Sequence, residues 1–168
     1  GFHLGELGIW TKHVNYELAN RIPLLIAAPG VTEPGSSTKQ PAETVDLYPT
    51  LAELAGLPKP APSQPFDGES LVPVLKDPDA RVSNHVYHCY PRGGRMGRAV
   101  RTDRYRLVEW KKVGAAPETA EYELYDYTKG RVERRNIADE KPAVVARLKA
   151  ILDQYPEAHP ARPLSSRK

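Results

Sequence analysis

The chain has 168 residues, enough for one ordinary domain or for a half-domain joined to a small subdomain. Hydrophobic residues make up 40% and charged residues 27%, and the longest apolar run, Ile22 to Pro29, is only strand-sized, so a disordered chain and a membrane-spanning helix are both disfavoured. A formal charge of +3, with Lys and Arg spread over several elements, argues against a nucleic-acid surface and leaves an anionic small molecule or glycan open as partner.

The chain starts with closely spaced glycines, Gly1, Gly5 and Gly8, and continues through Trp10 to Asn20, a pattern of tight loop followed by one or two helical turns. Arg21 to Gly30 is a continuous apolar run closed by Pro29-Gly30, which predicts a strand buried on both faces of a sheet. Val31 to Gln40 reads as surface loop. Val45 to Leu57 is a predicted helix, with Val45, Tyr48, Leu51, Ala52 and Ala55 at helical spacing and Gly56 at the C-terminal cap. The 17 prolines gather at 58 to 65 and 156 to 163, which read as connectors, and between them 67 to 75 reads as a turn and a short helical segment.

After Pro78 the pattern changes. Ser83 to Tyr90, Gly97 to Thr102, Tyr105 to Lys112 and Glu121 to Tyr127 are short runs rich in Val and Tyr, expected as antiparallel strands, with a hairpin at Thr102-Asp103-Arg104. Lys141 to Tyr155 is an amphipathic helix with Val144, Val145, Leu148, Ile151 and Leu152 on one stripe. The pattern therefore predicts an α/β piece of residues 1–78, an antiparallel ββββα subdomain of residues 79–156 and a tail of residues 157–168. A lone strand and helix cannot complete a parallel sheet, so neighbours supplied by sequence before Gly1 are expected.

The opening segment, Gly1-Phe-His-Leu-Gly-Glu-Leu-Gly-Ile-Trp-Thr-Lys12, resembles the glycine-rich loop and lysine that close the active site of formylglycine-dependent sulfatases. That family's order is Asp-His-Gly, then Gly-Glu-x-Gly, then Lys and a nearby acidic residue. Gly1 matches the end of the first triplet, Gly5-Glu6 and Gly8 match the second motif, and Lys12 matches the lysine. The resemblance continues in order through Arg21-Ile-Pro-Leu-Leu25, Val45-Asp-Leu-Tyr-Pro-Thr-Leu51, Asp67-Gly-Glu-Ser-Leu71, Arg101-Thr-Asp-Arg-Tyr-Arg106 and Glu123-Leu-Tyr-Asp126, and within the family Tyr90-Pro91-Arg92 looks most like the iduronate-2-sulfatase group.

The resemblance implies the C-terminal part of an alkaline-phosphatase-like α/β sulfatase fold, in a protein that hydrolyses sulfate esters, of uronate-containing glycans if the subgroup holds. It makes Lys12 the catalytic residue that contacts the sulfate group, because a compact ammonium suits a tetrahedral anion. His13 and Phe2 are implied beside that pocket, with His13 equally open to a structural role. Tyr90 and Arg92 are implied as an aromatic face and a guanidinium for a uronate carboxylate, against strand-end packing and a plain surface charge. Calcium is the implied cofactor of the full-length enzyme, with its ligands before Gly1 and none expected in this chain. The implied partners are the sulfated substrate and the N-terminal part of the same protein, without nucleic acid or membrane. Location is left open, with export to the periplasm, the exterior or the lysosome implied.

Two departures from the family pattern limit what the chain is expected to do alone. It starts at the glycine that follows the metal-binding Asp-His, and Cys89-Tyr-Pro-Arg-Gly93 copies the nucleophile motif Cys-x-Pro-x-Arg only in part. Cys89 is accordingly expected as a buried structural thiol, His3 as a loop residue, and the isolated chain as inactive. Two rival functions stay open: phosphodiester or phosphonate hydrolysis within the same superfamily, and a non-catalytic module that binds anionic glycan.

Overall fold

A computed structural model describes residues 1–58 and 66–159. The expected connector at 58 to 65 and the tail beyond 159 therefore lie outside the described residues, except for Pro58. By contacts the chain forms two compact units, one of Gly1–Ile22 with Tyr87–Lys168 and the other of Pro23–Val86. These limits differ from the expected boundary at residue 78, because the glycine-rich start packs with the later strands.

The first unit is organised by an antiparallel sheet of four strands in the order β1-β2-β3-β4: β1 His85–Arg92, β2 Arg95–Thr102, β3 Tyr105–Lys111 and β4 Glu121–Asp126. The β1–β2 turn is Gly93-Gly94, with φ of 57° and 76°. A two-residue hairpin of this handedness needs positive φ at both central positions, which glycine adopts without strain. Ala99 pairs with Val108 across β2 and β3, and Leu107 with Leu124 across β3 and β4.

Both faces of this sheet are covered. Helix α4, Pro142–Leu152, packs Leu148 against Tyr105, Leu107 and Leu124, with Val144, Val145 and Ile151 beside it. The opposite face takes the segment that ends in the short helix α1, Glu17–Asn20, where Val14 and Tyr16 pack on Tyr125, with Ile9 and Ala19 beside them. Strand β3 is consequently buried along nearly its whole length, including Arg106 and Glu109. Arg98 answers Glu109 with hydrogen bonds of 2.9 and 2.7 Å to one carboxylate oxygen. A buried charge is tolerated when it is paired and hydrogen-bonded in this way.

In the second unit, α2 spans Leu47–Leu54, preceded by a 3-10 turn over Thr44–Asp46, and α3 spans Val72–Lys76. The buried side of α2 is polar. Asp46 accepts from the backbone N–H groups of Glu43 and Glu69, and the Thr50 hydroxyl donates to the Asp46 carbonyl and accepts from the N–H of Leu71. The residues that set the helical spacing, Val45, Tyr48 and Leu51, are exposed, with Phe66 tilted against Tyr48.

The strand expected at Arg21 to Gly30 is not formed, and Leu25 is 89% exposed. A strand needs a neighbour's N–H and C=O groups, and among the described residues no strand pairs with this run. Among the described residues no helix is long and apolar enough to cross a membrane.

Candidate active site

The glycine-rich start folds as a narrow loop. The His3 N–H donates to the Thr11 carbonyl at 2.9 Å and the Gly5 N–H to the Ile9 carbonyl at 3.0 Å, so the loop's two limbs run side by side. At its base Lys12 and His13 are exposed on a tight turn, closed by the Val14 N–H donating to the Lys12 carbonyl at 3.0 Å. The Lys12 ammonium lies over the Phe2 ring, 5.5 Å from its centre. Cation–π contact steers an ammonium without using up its hydrogen-bonding capacity for an anion on the side away from the ring.

His13 stacks on Tyr90, with ring centres 5.5 Å apart and planes 12° from parallel. Four of the five predicted site residues therefore fall into two contacting pairs, Lys12 with Phe2 and His13 with Tyr90, joined through the adjacent residues Lys12 and His13. Arg92 ends β1 two residues beyond Tyr90 and is exposed, and its charge is felt at the Tyr16 hydroxyl. Burial and then the Glu123 carboxylate raise the Tyr16 pKa against that influence.

Beneath this surface lies a charged cluster that the sequence reading did not assign. Glu17, 4% exposed, accepts from Arg101 at 3.0 Å and from Arg106 at 2.8 Å. Its own backbone N–H donates to Glu133 at 2.6 Å, and the Tyr127 hydroxyl bridges Glu133 and Arg106. Burial pushes the Glu17 carboxyl up, but the hydrogen bonds and charges of Arg101 and then Arg106 outweigh it and hold the pKa below the usual carboxylate value. The signals were in the sequence as the acidic residue after the lysine and the Arg101-Thr-Asp-Arg-Tyr-Arg106 run, yet nothing in their spacing says that they meet.

Asn15 and His88 were missed as well. Asn15 is fully buried, and its side-chain oxygen faces His88 Nδ1 at 2.5 Å. Burial, reinforced by Arg106, pushes the His88 pKa down to about 4. His3 is fully buried and edge-on to Tyr16 at 6.3 Å, and neither of its ring nitrogens has a hydrogen-bond partner among the described residues.

Cys89 is half-buried on β1 rather than fully buried, because the strand lies at the edge of the sheet. Burial pushes its thiol up, while a hydrogen bond with Tyr87 acts the other way. The residues around Lys12 bring cations and aromatic rings and no converging carboxylates, and among the described residues no three His, Cys, Asp or Glu side chains gather in a metal-holding group. This set does not fit calcium, which takes six or more oxygen ligands.

A sheet covered on one face by a helix and on the other by a lysine-bearing glycine loop has the fold of the C-terminal part of an alkaline-phosphatase-like sulfatase. A solved protein in complex with its substrate D-glucosamine-2-N,6-O-disulfate superposes with a TM-score of 0.75 at 27% identity, covering 92% of this chain and 32% of that one. More particularly, the chain belongs to the family described as N-sulphoglucosamine sulphohydrolase, C-terminal, whose model matches residues 5–158. Arylsulfatase K of Danio rerio is 33% identical over 143 residues, 82% of this chain and 26% of that protein. Iduronate 2-sulfatase of Mus musculus is 37% identical over 84 residues, 36% of this chain and 15% of that protein. The chain spans about a quarter of the length of the curated relatives it matches.

Proposed function

We propose that this chain supplies the lysine-bearing wall of the active site in a sulfatase that hydrolyses sulfate esters, with Lys12 as the group that binds the sulfate and steadies the charge developing on the leaving oxygen. The observation that carries the reading is the exposed Lys12 ammonium, held on a tight turn over the Phe2 ring and next to the His13–Tyr90 stack. A preoriented ammonium is worth most where charge develops in the transition state. The nucleophile and calcium, which the sulfatase resemblance implies, belong in this reading to sequence before Gly1.

The substrate is a sulfated glycan, and we favour one that carries a uronate. His13 and Tyr90 offer the sugar a stacked aromatic surface. Arg92 offers its carboxylate two parallel N–H donors. The iduronate named in one relative supports this choice, while the glucosamine disulfate bound to the solved neighbour supports only the wider class.

In the whole protein, Lys12→Ala should lower kcat/KM on a sulfate ester by tenfold or more, as removal of an electrostatic contact to the transition state does. Unchanged kinetics would remove Lys12 from the site. Arg92→Ala should raise KM for a 2-sulfated uronate and leave KM for a 6-sulfated glucosamine unmoved, and an equal effect on both would defeat the uronate assignment.

A further inference from the structure

We infer that Asn15 is the positioning residue of this site: its buried amide clips the Lys12–His13 turn to the end of β1 that carries Tyr90. The inference rests on the sulfatase reading for its kinetic consequence, though not for its geometry.

All three polar contacts of the amide join it to the sheet. Nδ2 donates to the Tyr90 carbonyl at 3.3 Å and to the Gly97 carbonyl at 3.4 Å, and Oδ1 accepts from His88 Nδ1 at 2.5 Å. The two carbonyls only accept, so Nδ2 must face them and Oδ1 must face the ring. Burial holds the His88 pKa down to about 4, so the ring is neutral at pH 7, and the contact with Oδ1 places its proton on Nδ1. No other side chain of this size presents two donors and an acceptor in one plane, apart from the longer glutamine.

The neighbouring residues are fitted to this amide. A Cβ built on Gly97 would stand 2.3 Å from Nδ2 and 2.5 Å from the Trp110 ring, so only glycine at 97 admits it. Asn15 follows His13 by two residues and Lys12 by three, and the turn between is closed by the Val14-to-Lys12 hydrogen bond, which leaves little slack. Tyr90 is thus gripped twice by one short segment, on its carbonyl by Asn15 and on its ring by His13. Loss of the amide should free the turn to move against β1, and an ångström of misplacement at a reacting group is enough to slow catalysis by about a hundredfold.

A double-mutant cycle in the whole protein tests the kinetic part. Asn15→Ala should lower kcat at least tenfold, and Asn15→Ala with Lys12→Ala should be no slower than Lys12→Ala alone, because a residue that acts by placing Lys12 has nothing left to place. Losses that multiply would show an independent structural role and overturn the inference. A second measurement does not depend on hydrolysis: with histidines 13C-labelled, the His13 ring should carry an upfield shift from Tyr90 that collapses in Asn15→Ala and persists in Arg104→Ala. A His13 signal unmoved by Asn15→Ala overturns the inference whatever the kinetics. If Lys12→Ala leaves hydrolysis untouched while the His13 signal does collapse, the catalytic reading fails and the positioning geometry stands. Should Asn15→Ala not fold, Asn15→Asp serves both measurements, since it keeps the shape but turns the two donors to Tyr90 and Gly97 into acceptors.

Discussion

Arg101 and Arg106 sit directly opposite each other on β2 and β3, a like-charge pairing that a sheet ordinarily resists. Glu17 resolves it by bonding both, with Glu133 as the second carboxylate of the cluster. Removing one partner from a buried pair leaves uncompensated charge, so Glu17→Ala should destabilise the protein by about 3–5 kcal/mol in urea unfolding. Arg104→Ala, which removes an exposed pair with Asp126, should leave stability nearly unchanged, because solvent screens an exposed pair. His88 sets a pH window. Its pKa falls from the ordinary 6.5 to about 4 on folding, so between those values the unfolded chain binds more protons. Stability is therefore full above pH 6.5 and declines as the pH falls toward 4, by on the order of 1–2 kcal/mol once the ring's partial exposure is allowed for. His85 acts in the same direction through burial. Unfolding measured across this window should show a shallower fall in His88→Gln, and an unaltered slope would mean that His88 titrates normally.

Among the elements, the sheet and α4 were legible because their signals are local: Val- and Tyr-rich runs bounded by turns, a hairpin at Thr102-Asp103-Arg104, and a stripe on Lys141 to Tyr155 that the structure buries at Leu148 and Leu152. Leu148→Ala should cost about 2–5 kcal/mol, because it opens a cavity between α4 and Leu107. One element was misjudged and another was only half legible. The apolar run at Arg21 to Gly30 has strand composition, but among the described residues no strand lies beside it to make it one. On α2 the spacing identified the helix but not its buried side, since Asp46 and Thr50 bond backbone groups of the 67–71 segment that pattern does not reveal. Apolar spacing fixes where a helix forms. Which side it buries depends on what lies against it.

For the molecule as a whole, the two compact units and the short span of the relatives covered bear on what this chain does in isolation. The isolated chain should not turn over an aryl sulfate with or without added calcium, because Lys12 provides binding and charge but no nucleophile. Turnover that disappeared in Lys12→Ala would contradict this. The chain's own order of motifs was enough to predict the sulfatase fold and the antiparallel ββββα unit, since both are carried by local runs and the turns between them. Only the tertiary structure decided that the lysine turn packs with the later strands, that His13 meets Tyr90, and that Asn15 and Glu17 anchor the turn to residues more than seventy positions away. Those contacts depend on how the chain closes on itself, and a closure of that length leaves no periodicity in the sequence to read.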